Sequence, residues 1–283
     1  MSKVARLSMI VLFTLMAVAV GYISLDKRIA SAEALTIAQG NPYGPRHEPY
    51  GGPPPHQRVG PPPSVYLIGS NPVQGGFGIY RWSGRDWDTI PGGGSDITVD
   101  SDGTPWMVNA KHEIYRLDGS RWNHIAGSAM DIAACHGQVY VIGTDPVQGG
   151  YGIHRWNGRG WTSIEGGGVR IAVGPEGMPW VVNSNNNIFQ FSNGKWIEKT
   201  GSATDIGGGS NQIWVIGTNP LPGGYGIYRL KGGRWDPVTG SGVRIDVDSR
   251  GAAWVVNASG EIYHWEGSAF DKLPGNAKDI GAE

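Results

Sequence analysis

The residues best suited to binding chemistry are amide and aromatic side chains that recur near glycine-rich segments. The amides are Asn109, Asn183 and Asn257, and the aromatics are Phe77, Tyr151 and Tyr225. An aromatic ring stacks well against the C–H groups of a sugar, and an amide exchanges hydrogen bonds with hydroxyl groups without adding charge. These residues therefore predict carbohydrate binding. The alternative is structural, because an asparagine also closes turns by bonding to the backbone and an aromatic also caps a sheet.

A long internal repeat reveals the elements that must position these residues. Three related segments begin at Val65, Val139 and Ile213, 74 residues apart each time. Within them, an aromatic residue followed five residues later by glycine recurs at alternating spacings of 35 and 39 residues. The six positions are Trp87, Trp122, Trp161, Trp196, Trp235 and Phe270. Six short units therefore form three pairs, a pattern typical of solenoids, propellers or arrays.

A complete short unit contains four strand-like runs. In the second unit they cover residues 96–99, 106–109, 113–117 and 121–125, with turn-forming residues between them. Four strands in about forty residues correspond to one blade of a propeller. Because an open array would leave edge strands unpaired, we expect the blades to close into a ring.

The two ends of the repeat region indicate how the ring closes. The first unit begins at Val65 without the opening strand of its relatives, whereas residues 277–280 match residues 129–132 and 203–206. We therefore predict an all-β fold over residues 64–283. It is a six-bladed β-propeller of four-stranded blades, closed by the C-terminal strand, which completes the first blade.

One sequence pattern, I-x-V-x-x-x-G-x-x-W-x-V-N followed by E-I-Y, appears as ITVDSDGTPWMVNAKHEIYRLDG from Ile97 and IDVDSRGAAWVVNASGEIYHWEG from Ile245. This pattern resembles tectonin repeats. The resemblance covers residues 65–283 and implies a six-bladed propeller. The chain looks like those members that act as lectins of innate defence and bind lipopolysaccharide, glucans or modified sugars. The family also includes intracellular adaptors, so the resemblance leaves the ligand open.

The predicted face for ligands carries three similar insertions. The odd units insert NPVQGGF, DPVQGGY and NPLPGGY after their second strand, and these loops emerge on one face of the ring. Repeated weak sites gain avidity on a repetitive cell envelope. The first hypothesis is therefore a glycan or lipopolysaccharide-like ligand, and the second is a protein partner on the same face.

Catalysis is the third hypothesis, in the form of a propeller lyase or hydrolase. The histidines fall at different blade positions without a ligand pattern, and no Ser/His/Asp set or carboxylate pair stands out. The regular repeat favours several equivalent binding sites over one catalytic pocket. We predict that the chain is not an enzyme and uses no cofactor or metal.

Other recurring residues are predicted to be structural. The tryptophans of the repeat should pack blade against blade, as should those of the second strand. Charged residues at the start of the inner strands predict inter-blade hydrogen bonds and ion pairs, and the alternative is a site for an ion or an acidic group. These charged residues are Asp96, Asp131, Arg170, Asp205, Arg244 and Asp279.

Two further features invite a chemical interpretation. Asp100-Ser101-Asp102-Gly103 resembles part of a calcium loop, but its carboxylates are partly lost in the related turns, so we predict a hairpin turn. Cys135 corresponds to Gly209 in the next pair of units, which favours a small passive residue over a reactive thiol. Because Cys135 is the chain's one cysteine, an intramolecular disulfide is excluded.

The N-terminal region differs from the repeats. Residues 1–32 contain Lys3 and Arg6, an apolar stretch and an Ala-Ser-Ala site, which predicts a cleaved export signal; the alternative is an uncleaved membrane anchor. Residues 33–63 are rich in proline and glycine and predict a linker, with a docking ligand as the alternative. We expect a secreted, periplasmic or extracellular protein. Its formal net charge of -1 argues against nucleic-acid binding.

Overall fold

A computed structural model describes residues 63–209 and 211–283. The predicted export signal and nearly all of the predicted linker lie outside the described residues. Within them, no helix is long and apolar enough to cross a membrane.

The described region is built from antiparallel β-strands. In chain order the strands are β1 (Val65–Val73), β2 (Gly76–Trp82), β3 (Trp87–Gly94), β4 (Asp96–Val99), β5 (Pro105–Val108), β6 (Glu113–Asp118), β7 (Arg121–Ser128), β8 (Asp131–Cys135), β9 (Gln138–Val147), β10 (Gly150–Trp156), β11 (Trp161–Gly168), β12 (Arg170–Val173), β13 (Pro179–Val182), β14 (Asn187–Ser192), β15 (Lys195–Gly208), β16 (Ile213–Leu221), β17 (Gly224–Lys231), β18 (Arg234–Gly242), β19 (Arg244–Val247), β20 (Ala253–Val256), β21 (Glu261–Trp265) and β22 (Phe270–Ala282). The four strands predicted for the second unit are confirmed as β4 to β7.

The strands form two four-stranded and two seven-stranded sheets. The four-stranded sheets have the orders β4-β5-β6-β7 and β11-β10-β9-β8. The seven-stranded sheets have the orders β12-β13-β14-β15-β16-β17-β18 and β19-β20-β21-β22-β1-β2-β3. In each of these, one long strand serves two short units. For example, β15 pairs with β14 through its first half and with β16 through its second half.

The C-terminal segment pairs with the first strand, as its sequence predicts. Strand β22 pairs with β21 up to Asn276 and then with β1, where Ile280 lies opposite Leu67 and Ala282 opposite Val65. Ser64 and Glu283 extend this pairing through two backbone hydrogen bonds of 2.8 and 3.0 Å. The strand missing from the start of the repeat region is thus supplied from its end.

The hydrophobic core lies between successive units, which we number one to six from the N-terminus. One cluster joins Trp106 of unit two to Val139 and Val141 of unit three. Another joins Val65 and Leu67 of unit one to Trp254 of unit six. The second-strand aromatics are buried as predicted; they are Tyr66, Trp106, Tyr140, Trp180, Trp214 and Trp254. Burying a large apolar side chain typically stabilises a fold by about 1.5–3 kcal/mol.

Candidate functional site

The repeated tryptophans fasten each unit to the preceding one. The indole N–H of Trp122 donates to the carbonyl of Pro91, at 2.9 Å, and the ring covers the neighbouring Gly92. Four further tryptophans make the same bond; the pairs are Trp87 with Pro274, Trp161 with Ala126, Trp196 with Glu165, and Trp235 with Thr200. The predicted packing role is confirmed, and the glycine five residues after each aromatic residue receives the ring of the next unit.

Phe270 interrupts this series. Its ring lies beside Gly240, as a tryptophan ring does in the other units, but it has no N–H to donate to the Thr239 carbonyl. Gly240 has a φ of +142°, within the region that favours glycine. The sixth unit therefore keeps the contact between an aromatic ring and the preceding unit's glycine. It lacks the larger indole ring and the hydrogen bond that the other units have there.

The charged residues at the start of the inner strands join neighbouring units. Each of four carboxylates accepts a backbone N–H from the next unit; the pairs are Asp279 with Ile97, Asp96 with Ile132, Asp131 with Ile171, and Asp205 with Ile245. Arg170 forms ion pairs with Asp131 at 3.1 Å and Asp205 at 3.3 Å, and Arg244 pairs with Asp279 at 3.5 Å. The predicted inter-blade hydrogen bonds and ion pairs are confirmed.

The shared burial of these carboxylates changes their acidity. Burial and the nearby carboxylates of Asp279 and Asp131 raise the pKa of Asp96 well above 3.8. Burial also raises the pKa of Asp205 to about 6, although Arg244 and Arg170 oppose the shift. Burial and mutual repulsion thus make these carboxyl groups easier to protonate, and the two arginines oppose this effect.

The predicted asparagines lie in the turns that follow the second strands of the even units. The Oδ1 atom of Asn257 accepts the backbone N–H groups of Ser259 and Glu261, at 3.0 and 2.9 Å. Asn109 and Asn183 make the equivalent pairs of bonds in their own turns. The turn of each even unit also bonds to the glycine-rich hairpin of the preceding odd unit, as Ala258 does to the Gly223 carbonyl at 2.9 Å. We call this surface the loop face.

The asparagine amide groups differ in what remains for a ligand. Nδ2 of Asn257 donates to Glu261 at 2.7 Å, and Nδ2 of Asn109 donates to Glu113 at the same distance. At the fourth unit Asn187 replaces the glutamate, and among the described residues Nδ2 of Asn183 has no acceptor. The oxygens are therefore committed to the turns, and Asn183 keeps the freest donor of the three.

The predicted aromatic residues are half-buried at the edge of the core. Phe77, Tyr151 and Tyr225 each pack against the cluster that joins their unit to the next. The Lys278 amine lies 4.5 Å from the centre of the Phe77 ring. The structure does not bring these three aromatics together with one another.

A groove on the loop face opens where Phe270 replaces tryptophan. It lies between units five and six and has a volume of about 800 Å³. Its apolar surface includes Ile227, Val255 and Phe270, and its polar groups include Ser241, Asn257, Ser259, Glu261 and Tyr263. This groove was not predicted from the sequence, although two departures from the repeat mark it. They are Phe270 and Ser241, which stands where the other odd units have Gly93 and Gly167.

The polar wall of the groove is fixed in place by a hydrogen-bond network. The Glu261 carboxylate accepts from the Lys272 amine at 2.5 Å, from Asn257, and from the Tyr263 hydroxyl at 3.1 Å. The hydrogen bonds from Lys272 and Asn257 lower the pKa of Glu261 to about 2. Glu261 is therefore ionised at neutral pH, and its tyrosine neighbour presents hydroxyl lone pairs for a ligand donor.

His264 forms a separate charged cluster beside Trp254. Its Nδ1 lies 2.6 Å from Glu266 and its Nε2 lies 3.4 Å from Asp248, while the ring packs 4.2 Å from the Trp254 ring centre. Burial opposes protonation of the ring, but the bonds to Asp248 and Glu266 raise the pKa of His264 above 6.5. Protonated His264 thus stabilises the folded chain.

The pH dependence of this cluster is testable with His264→Gln, which introduces the residue found in the fourth unit as Gln190. A raised folded-state pKa gives a stabilisation that is complete below the unfolded value and is lost as pH rises through the folded value. The free energy of unfolding of the native chain should therefore exceed that of the variant most at pH 5.5 to 6. Urea denaturation across pH 5.5 to 9 measures the difference; a constant or growing difference towards alkaline pH would contradict the assignment.

The remaining candidate residues are structural. In the turn at Asp100 the carboxylate accepts the N–H of Ser101 at 2.7 Å and of Gly137 in the next unit at 2.9 Å, which confirms the predicted hairpin turn. Cys135 is buried, with its Sγ 3.4 Å from the Ser101 hydroxyl. Within the described region, no group of three or more His, Cys, Asp or Glu side chains has the geometry to hold a metal ion.

Antiparallel sheets packed face to face in this way define a β-propeller, and solved structures share the fold. TolB from Acinetobacter baumannii has 13% identity over 78% of this chain and 66% of its own, with a TM-score of 0.59. A Bacteroides caccae protein of unknown function has 13% identity over 78% and 99% of the two chains, with a TM-score of 0.52. The WD40 β-propeller domain of Doa1 has 11% identity over 75% and 79%, with a TM-score of 0.50.

The sequence places the protein more narrowly. The tectonin domain model matches residues 73–154, 128–225 and 202–283. The chain therefore belongs to the tectonin-domain family, which confirms the resemblance of its repeats. A 38-residue segment is 53% identical to Tectonin-2 of Physarum polycephalum; it represents 13% of this chain and 11% of the length of that relative.

Proposed function

We propose that the protein is an exported, carbohydrate-binding propeller that recognises a glycan of a cell envelope or surface. The observation that carries the proposal is the groove between units five and six. An aromatic ring at its base is suited to sugar C–H groups, and the surrounding hydroxyl, amide and carboxylate groups are suited to sugar hydroxyls. The groove volume of about 800 Å³ lies within the usual range for ligand pockets.

The polar groups of the groove supply a mixture of donors and acceptors. The Thr239 carbonyl is free of the indole bond that its counterparts receive, and the Ser241 hydroxyl donates to the Pro222 carbonyl at 2.6 Å, which leaves its lone pairs exposed. The ionised Glu261 accepts hydrogen bonds, and Ser259 donates or accepts. Such a site binds an uncharged sugar ring by hydrogen bonding to its hydroxyl groups. Most of the binding energy comes from the contact between the sugar and Phe270.

The repeated residues provide further, weaker contacts in this proposal. Asn257 lines the groove, and Asn109 and Asn183 occupy the same turn in the other even units. Phe77, Tyr151 and Tyr225 lie beside the turns of the odd-unit hairpins, opposite Pro72, Pro146 and Pro220. Several weak contacts on one face raise avidity for a repetitive envelope such as lipopolysaccharide. We propose binding, not catalysis, as the outcome, with no cofactor or metal.

The fold proposal is a closed ring of six four-stranded blades. Inner strands of consecutive units are in contact throughout the series β4, β8, β12, β15, β19 and β22, and β22 also contacts β4. The pairing of β22 with β1 and the Trp87 bond to Pro274 both join the last unit to the first. A closed ring, in which the last unit contacts the first, accounts for all of these contacts.

Closure predicts a measurable cost for Trp87→Phe. The substitution keeps an aromatic ring and removes the 2.8 Å indole bond to Pro274, so the free energy of unfolding should fall by about 1 kcal/mol. Trp122→Phe removes the equivalent bond between units one and two and serves as the control. Urea denaturation should give similar losses for both variants. A loss in the control alone would indicate that the ends of the repeat region are not joined.

The proposed route to the target surface uses the N-terminal region. Residues 1–32 serve as an export signal, or as an anchor if they are retained, and residues 33–63 form a proline-rich spacer before the propeller. This organisation displays the loop face in a secreted, periplasmic or extracellular location.

A protein partner on the same face is the second candidate. Its support is a set of exposed aliphatic side chains at the same position of each odd-unit hairpin, namely Val73, Val147 and Leu221, which are 40, 45 and 45% exposed. Apolar side chains repeated around one face favour contact with another surface. This candidate requires binding that free sugars do not displace.

The proposed function is tested by screening the purified full chain on a glycan array that includes lipopolysaccharide fragments, glucans and methylated sugars. We expect a restricted set of positive glycans, each displaced by the matching free sugar. Heat-denatured protein controls for nonspecific adhesion. An absence of binding by correctly folded protein, judged by a cooperative urea transition, would reject the carbohydrate function and favour a protein partner.

A further inference from the structure

A second groove on the loop face lies between units six and one. Its volume is about 610 Å³, and it adjoins the Phe270 groove across the turn that begins at Asn257. The two grooves share Asn257 and Ser259. Polar residues around the second groove are Ser70, Ser95, Arg244, Ser259, Asn276 and Lys278. A single extended ligand can therefore contact both grooves by crossing one turn.

The two charged side chains that line the second groove are both basic. Arg244 and Lys278 line it, and no acidic side chain is among its lining residues. The Arg244 Nε atom pairs with Asp279 at 3.5 Å and one terminal nitrogen donates to the Val243 carbonyl at 3.2 Å, while about a third of the side chain (32%) remains exposed. A guanidinium carries five N–H donors, so this residue keeps donors for a ligand.

Lys278 is the feature that sets this groove apart from its repeats. The corresponding residues in the other units are uncharged; they are Ser95, Met130, Val169, Thr204 and Val243. Lys278 is exposed, its amine lies over the Phe77 ring, and it has no carboxylate partner among the described residues. The repeat therefore does not require a lysine at this position for folding.

We infer that the second groove binds an oxyanion carried by the glycan: a carboxylate, sulfate or phosphate substituent. This inference rests on the proposed function and adds a charge requirement to its ligand. Lys278 and Arg244 supply the attraction, since hydrogen bonds between charged partners are shorter and stronger than neutral ones. The hydroxyls of Ser70 and Ser259 donate to the remaining oxyanion lone pairs, whereas the Ser95 hydroxyl already donates to the Val108 carbonyl at 3.1 Å. In this arrangement a neutral sugar stacks on Phe270, and the sugar residue that precedes or follows it in the glycan carries the oxyanion.

The inference is tested with pairs of oligosaccharides that differ only in one uronate, sulfate or phosphate group. Surface plasmon resonance with the purified full chain compares Lys278→Met, which adopts the residue of the third unit, with Lys195→Met, which removes the same charge at an exposed site outside both grooves. We expect the first substitution to lower affinity for the preferred acidic member about tenfold and leave the neutral member unchanged. The control should change neither. Comparison of the three substituents identifies the oxyanion.

The possible results separate this inference from the proposed function. Equal binding of acidic and neutral members, unaltered by Lys278→Met, would overturn the oxyanion site and leave the lectin function standing. Equal losses in both lysine variants would overturn it by showing general attraction to a cationic surface. If no glycan binds, the test is calorimetry with inorganic phosphate, sulfate and glucuronate. Anion binding that is lost only in Lys278→Met supports the anion site without the lectin function. An absence of anion binding overturns both the oxyanion site and the lectin function.

Discussion

The substitution Phe270→Trp should strongly weaken glycan binding while increasing stability. Five of the six units already have tryptophan at this position, so the backbone accommodates the larger ring. The added ring extends into the groove between units five and six and occupies the surface on which a sugar would stack. We expect affinity to fall at least about thirtyfold, the scale of losing a dominant contact.

Stability distinguishes this effect from damage to the fold. The new indole N–H lies where it can donate to the Thr239 carbonyl, as the indole of Trp235 donates to Thr200 at 2.8 Å. The free energy of unfolding should therefore rise by about 1 kcal/mol. Phe191→Trp is the matched control, because Trp82, Trp156 and Trp265 occupy its position in other units and it lies outside the Phe270 groove. Unchanged binding by a stable Phe270→Trp variant would place the sugar elsewhere.

The substitution Gly127→Ala should produce the largest loss of stability among the variants considered. Gly127 has a φ of +129°, and an added Cβ would lie 2.7 Å from the Trp161 indole nitrogen. The alanine would therefore strain the backbone and displace the indole that bonds to Ala126. The combined cost should be about 3 kcal/mol, with a fall in melting temperature of roughly 10 °C.

Gly84→Ala is the control for backbone strain alone. Gly84 also has a positive φ, +93°, but no atom lies within 4 Å of the position of an added Cβ. Calorimetry of the full chain should show a loss of about 1–2 kcal/mol for this variant. Equal losses in the two variants would show that the contact between Trp161 and Gly127 does not contribute.

Much of the fold was predictable because each unit repeats the same solution. The aromatic residue followed by glycine recurs because each unit's ring must lie on the glycine of the preceding unit, so a contact between units produces a repeated pattern within each unit. The C-terminal match to the inner strands likewise predicted the pairing of β22 with β1. Regular spacing therefore carried information about tertiary contacts.

The candidate site was less predictable, because it depends on where the repeat fails. Phe270 is a conservative replacement for the tryptophan of the other units. Its effect, an open groove, is visible only in the structure, where Phe270 lies beside Gly240 and Thr239 of the preceding unit. The turn asparagines show a second difficulty. The same side-chain atoms of asparagine can close a turn or bind a sugar. Only the hydrogen bonds of the structure show that Oδ1 of Asn257 accepts from the backbone of Ser259 and Glu261.

The central claim is that a sugar binds where the repeat is interrupted, and a crystal structure of the full chain with its best-binding oligosaccharide tests it most directly. The account predicts a sugar ring against Phe270, with hydroxyls bonded to the Ser241, Ser259 or Glu261 side chains. A ligand bound only on the opposite face, or only at equivalent positions of units whose tryptophan is intact, would contradict it.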